Sequence, residues 1–191
     1  MSATLSPGFA DPVQDSQAVF RALMDAMARP GRVHRVAGPE ATPAPLNRAT
    51  ASVLLTLADA ETPLWLDEPA SAAWDWVIFH CGASRAPLGA AQFAVALAAV
   101  DWATLNRGTD EEPEQSATLI LQVGGLEAGA GLRLSGPGLA GTARLHVDGL
   151  PDGFLGWWPT NRRMFPRGVD VILCAGDALT ALPRTVTIEA D

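Results

Sequence analysis

The sequence contains no lysine: its thirteen basic residues are all arginines. A Schiff-base enzyme, whether it uses pyridoxal phosphate or forms an imine directly, needs a lysine amine, so that chemistry is excluded apart from the N-terminal amine. Cysteine is scarce. Cys81 and Cys174 stand far apart with no second Cys or His at metal-ligand spacing, which argues against a disulfide framework and a zinc site and fits a reducing cytoplasm. No apolar run reaches the roughly 18 residues of a membrane span, and the first ten residues lack the charged and apolar segments of an export signal. Neither membrane insertion nor export is expected. Positive charge is also in short supply. A net charge of -8 repels a phosphate backbone, so general nucleic-acid binding is not expected, although a local basic cluster can still hold a small anion.

What remains is a chain of 191 residues, 48% hydrophobic and 18% charged, which predicts one compact domain over 1–191 with a substantial core. Asp11 offers a helix N-cap, followed by Pro12 at the first helical position and Gln14 three residues on, with Asp15 as the alternative. Phe20, Leu23, Met24 and Met27 then recur at helical spacing until Pro30-Gly31 stops the run. A second helical stripe is Leu46, Thr50, Val53, Leu54 and Leu57. PLWL at 63–66 reads as a short buried strand, and Ser71 as the cap of a helix carrying Trp74 and Val77 before the chain extends through Phe79 and His80. Strands are expected at 92–97, 117–123, 132–135, 143–147, 169–174 and 185–189, with a short helix at about 101–106. The segment 109–115 is an acidic solvated loop, and 149–166 is irregular or partly helical. This mixture predicts an α/β fold, a layered three-layer α/β/α sandwich around a mixed sheet.

The candidate chemistry is thin. Residues 136–141 read GPGLAG, a literal dinucleotide-binding pattern, but the TARLHV that follows alternates like a strand instead of opening a helix, so a turn between strands is expected. His80 and Cys81, as strand neighbours, point to opposite faces and cannot form a nucleophile–base pair. Cys174 inside VILC packs as a small hydrophobe. Asp170, at the start of an apolar strand, must find a partner, and an arginine is the usual one. Trp157 and Trp158 are read as a loop pair able to pack on the core or anchor a partner. The most suggestive group is Asn161, Arg162, Arg163 and Arg167 in a loop, joined by Arg184. Guanidinium forks suit phosphate or phosphonate oxygens, and they serve interfaces equally well.

Several segments taken together resemble the PhnH family. They are SQAVFRALMDAMARPG at 16–31, SVLLTLADAETPLWL at 52–66, FHCGASRAPLGAAQFA at 79–94, EQSATLILQV at 114–123, LRLSGPGL at 132–139, FPRGVDVIL at 165–173 and LPRT at 182–185. The resemblance covers most of the chain in order and is weakest at 142–160. It implies a fold similar to pyridoxal-phosphate-dependent transferases but without the cofactor. It also implies a place in the carbon-phosphorus lyase core complex with PhnG, PhnI and PhnJ. With a further subunit, PhnL, that assembly replaces the adenine of ATP by a phosphonate, an α-D-ribose 1-methylphosphonate 5-triphosphate synthase activity in phosphonate catabolism. No catalytic residue comes with the family. Two readings result: a structural or assembly subunit, homodimeric when isolated, or a small organophosphate-binding enzyme or sensor using the Arg162–Arg167 segment. In either, Arg162, Arg163, Arg167, Arg184 and Asp170 are the expected ligand or partner contacts, without cofactor or metal.

Overall fold

The computed structural model describes residues 5–190. Its helices are α1 (Pro12–Ala28), α2 (Arg48–Leu57), α3 (Trp74–Cys81) and α4 (Phe154–Arg163). The strands are β1 (His34–Arg35), β2 (Pro63–Leu66), β3 (Ser84–Arg85), β4 (Phe93–Ala96), β5 (Thr118–Gln122), β6 (Gly125–Ser135), β7 (Thr142–Asp148), β8 (Asp170–Ala175), β9 (Ala178–Leu182) and β10 (Thr187–Glu189). Seven of them form a mixed sheet in the order β1-β9-β8-β5-β4-β2-β3, and three form a small antiparallel sheet, β10-β6-β7. Strands β3, β2, β4, β5 and β8 run parallel, while β9 returns antiparallel to β8 and β1 antiparallel to β9.

The central strands are apolar on both sides because both sides are covered. Alternate residues feed two cores: Val95, Ile120, Ile172 and Cys174 meet α1, α2 and α3, whereas Ala94, Leu119, Leu121, Val171 and Leu173 meet α4 and the small sheet through Phe154, Trp158, Leu134 and Leu145. One outer layer is therefore helical as expected, and the other is a three-stranded sheet with one helix. At the carboxyl ends of β5 and β8, where open α/β sheets commonly bind ligands, the polar groups satisfy one another. Gln122 Oε1 accepts from the Asn47 N–H (2.8 Å) and the Thr50 hydroxyl (3.0 Å), Gln122 Nε2 donates to the Pro45 carbonyl, and Asn47 caps α2 by accepting from the Thr50 N–H. Asp67 does the same after β2, accepting from the N–H groups of Ala70, Leu97 and Ala98.

Several local expectations change. The Asp11 carboxylate caps α1 through the Val13 and Gln14 N–H groups, and Asp15, not Gln14, reaches back to the Asp11 N–H at 3.1 Å. The buried stripe of α1 is Val19, Leu23 and Ala26, which leaves Phe20 and Met24 about half exposed beside Val13. Phe79 and His80 lie in α3, which Gly82 ends in the left-handed conformation, φ 70°. No helix forms at 101–106. Asp101 instead ties a turn, accepting from the Thr104 hydroxyl and the Ala103 N–H. Strand β9 was not foreseen, nor was the first half of β6. Among the described residues no helix is long and apolar enough to cross a membrane.

Candidate functional site

Residues 149–166, expected to be irregular or partly helical, contain α4, and this relocates the arginine group. Gly153 enters the helix in a left-handed conformation, and Pro159 lies inside it. The bond that Pro159 cannot make would run to the carbonyl of Leu155, and both residues face solvent, where water can satisfy that carbonyl. The opposite face carries Phe154, Trp157, Trp158 and Asn161, all buried. The two tryptophans are thus core residues, not a loop pair. Trp158 donates its indole N–H to the Val186 carbonyl at 2.8 Å and stacks on Phe154, while Trp157 stacks on Trp102 with centroids 4.8 Å apart. Asn161 locks the helix to the following strand, its amide nitrogen donating to the Val169 carbonyl (2.9 Å) and its oxygen accepting from the Val169 N–H (2.8 Å).

Arg162 and Arg163 therefore sit in the last turn of a helix anchored by its buried face, where positive charge also complements the helix dipole. Both heads are exposed: Arg162 donates to the Thr185 carbonyl at 3.3 Å and Arg163 to the Thr160 hydroxyl at 3.0 Å. Together with Trp158, Pro159, Thr187 and Ile188 they line a cavity of about 230 Å³. Phe165, which sequence reading did not single out, is 65% exposed and lines a neighbouring depression of about 360 Å³ with Arg162, Pro137 and Thr185. An exposed Phe beside the arginines was visible in FPRG, but nothing in the pattern showed that its ring faces outward.

The other residues of the expected group turn elsewhere. Arg167 pairs with Asp110 of the acidic loop at 3.0 Å. Asp170 has the arginine partner its position requires, and that partner is Arg184. The Arg184 Nη2 lies 2.7 Å from Oδ2, its Nε lies 3.2 Å from both carboxylate oxygens, and its backbone N–H donates to Oδ1 at 2.7 Å. The remaining Arg184 nitrogen, Nη1, donates to the carbonyls of Pro113 and Pro166. One guanidinium thus ties β8, the acidic loop and the segment after α4 together.

The thiols are poor nucleophiles, though not for the reason first given. His80 and Cys81 are helix neighbours. His80 Nε2 meets the Ser6 carbonyl at 3.0 Å, and Cys81 Sγ donates to the Leu54 carbonyl at 3.6 Å. Burial pushes Cys81 up to about 11 and Cys174 up to about 12, the latter against an opposing hydrogen bond with Thr50. At pH 8 the native chain should react with iodoacetamide on the order of a hundredfold more slowly than the unfolded chain, because only the thiolate attacks. Equal labelling rates would show the thiols to be open. Because both folded values lie above the ordinary thiol range, their contribution to stability is intact below about pH 8.5 and is lost as pH rises toward 11 and 12. The GPGLAG segment is the connection between β6 and β7, as expected, with Gly136, Gly138 and Gly141 all at positive φ.

Comparison with known proteins places this geometry in context. A family model described as "Bacterial phosphonate metabolism protein (PhnH)" matches residues 7–189. The chain is 42% identical, over 197 aligned positions covering all of it and 98% of the relative, to the "Alpha-D-ribose 1-methylphosphonate 5-triphosphate synthase subunit PhnH" of Rhizobium meliloti (strain 1021). It is 36% identical over 177 positions, 90% of this chain and 85% of the relative, to the "Putative C-P lyase subunit protein HtxG" of Stutzerimonas stutzeri.

Proposed function

The chain belongs to the PhnH family of bacterial phosphonate metabolism proteins, and we propose that it works as an assembly subunit of a carbon-phosphorus lyase complex, docking through the carboxyl end of α4. The relatives are named as subunits, and the observation that carries the reading is the surface itself. An outward aromatic ring, Phe165, stands beside two exposed arginines on a helix whose other face is fixed in the core. An aromatic anchor with arginine neighbours is the composition that protein interfaces favour. In this reading Arg162, Arg163 and Phe165 touch the partner, Arg167 borders the contact, and the Arg184–Asp170 pair holds the platform rigid. The partners are PhnG, PhnI and PhnJ, with PhnL joining them, in a cytoplasmic α-D-ribose 1-methylphosphonate 5-triphosphate synthase. This chain acts there as one domain without chemistry of its own. Its fold is that of a pyridoxal-phosphate-dependent transferase whose cofactor role is gone, in keeping with the missing lysine.

Exposed charges contribute roughly 0–1 kcal/mol to stability, whereas a desolvated interfacial arginine can be worth several times that. Replacing Arg162, Arg163 and Phe165 with alanine should therefore leave the melting temperature within about 3 °C of the parent. Capture of the co-expressed complex subunits and growth on a phosphonate should fall at least tenfold. Normal capture by a folded triple variant would sink the proposal. Alone, the chain pairs with a second copy. The surface suited to this is the exposed apolar side of α1, Val13, Phe20 and Met24, since Trp157 and Trp158 are buried in the core. Light scattering at tens of micromolar should give twice the mass of one chain, on the scale of ordinary weak interfaces. A monomer would count against it.

A further inference from the structure

We infer that the cleft between the turn following α1 and the small antiparallel sheet binds a phosphoryl or phosphonyl group carried on a larger molecule. The cleft measures about 480 Å³, within the range of small-molecule sites and larger than a lone phosphate group needs. Two glycines set its walls. A Cβ on Gly138 would stand 2.2 Å from the Ala28 carbonyl oxygen, so the β6–β7 connection can press against the end of α1 only with glycine there. A Cβ on Gly31 would meet Ala143 and Leu134 at 3.1 Å. The GPGLAG segment, through Gly138, Leu139 and Ala140, and the ARPGR segment thus build one concavity together.

Its charge is the second observation. Arg29 from the end of α1, Arg32 from the turn and Arg144 from β7 converge on the cleft from three segments of a chain whose net charge is -8. Arg29 and Arg32 share one carboxylate, Asp25: Arg29 pairs with it, Arg32 reaches it at 3.4 Å, and His34 Nε2 lies 3.1 Å from it. One negative charge against these two guanidiniums leaves a positive field on the α1 side of the cleft. His34 registers that field, since its pKa lies below the ordinary value through burial first and the Arg32 charge second, even with Asp25 beside it. The Arg29 and Arg32 side chains are 52% and 60% exposed, so their forks can reach an incoming oxyanion, and Arg144 is steadied by donating to the Gly131 carbonyl at 3.1 Å. Guanidinium forks match the tetrahedral oxygens of phosphate and phosphonate. Pro30, Leu139 and Ala140 give the attached part of the ligand an apolar wall.

This inference stands apart from the α4 docking surface, and the test separates them. Calorimetric titration of the whole chain with inorganic tripolyphosphate at low ionic strength should show one saturable site, with citrate, a carboxylate of similar charge, binding at least tenfold more weakly. Arg29→Ala with Arg32→Ala should weaken tripolyphosphate binding at least tenfold, while Arg162→Ala with Arg163→Ala leaves it unchanged. Ala128 is exposed on the cleft wall, so Ala128→Glu should block binding without removing an arginine, and it decides the matter if the double arginine variant fails to fold. The inference is overturned by no saturable binding, by citrate binding as well as tripolyphosphate, by full affinity in Ala128→Glu, or by loss of binding in the α4 variant instead.

Discussion

Replacing Asp170 with alanine is expected to cost about 3–5 kcal/mol, the penalty for leaving a largely buried guanidinium without its counter-charge. For a chain of this length that lowers the melting temperature by roughly 10 °C or more. The size follows from what Arg184 does. Its side chain is 15% exposed, it makes contacts at both Asp170 oxygens, and its remaining donors hold the carbonyls of Pro113 and Pro166. Without the carboxylate, the strand start, the acidic loop and the segment carrying Phe165 lose a common tie, and the charge that remains pulls water into the platform. Removing both charges, in Asp170→Ala with Arg184→Met, should cost less than Asp170→Ala alone, because no buried ion is then stranded. Thermal melts of the two single variants and the double variant give the comparison. A single variant melting within 2 °C of the parent would show that the pair is not the tie described.

This pair also shows where sequence reading succeeds and where it stops. That Asp170 needs an arginine followed from one fact, a carboxylate opening an apolar strand, and burial logic is independent of topology. Which arginine it takes was not legible: Arg162 and Arg163 are nearer in sequence, but the return strand β9 delivers Arg184. Strands β5 and β8 were readable because a strand buried on both faces must be apolar throughout. Strand β9, ALTAL, carries the same signal in a short run between a Gly-Asp turn and a proline, and it was passed over. In α1 the helix and its cap were plain, but weighting the large residues put Phe20 and Met24 in the core, where Val19 and Ala26 in fact lie. Small residues let α1 lie close on the sheet, and the large ones are left for solvent or a partner. The cleft of Arg29, Arg32 and Arg144 could not be seen at all, since its walls come from distant parts of the sequence, Arg29 to Arg32 on one side and Ala128 to Arg144 on the other.

The helix α4 was the element most obscured by local signals, because Gly156 and Pro159 argue against a helix while the burial of one face argues for it. Trp158 is the residue through which burial wins, so Trp158→Ala should be the most damaging change on this helix. The ring is 1% exposed and stacks on Phe154 with centroids 5.6 Å apart, and its N–H satisfies the Val186 carbonyl between β9 and β10. Truncating a buried tryptophan costs about 3–5 kcal/mol, and the stranded carbonyl adds to this, so a loss of 10 °C or more in melting temperature is expected. Trp158→Phe keeps most of the ring and gives up the hydrogen bond, which should cost about 1–2 kcal/mol. The functional consequence separates packing from contact. Trp158 touches no partner in the docking proposed for α4, yet it holds Arg162 and Arg163 in place. Below its melting temperature Trp158→Phe should therefore capture partner subunits as well as the parent does, while Arg162→Ala with Arg163→Ala melts normally and fails to capture. If Trp158→Phe melts like the parent but loses capture, the indole N–H has a role at the interface that its bond to Val186 does not describe.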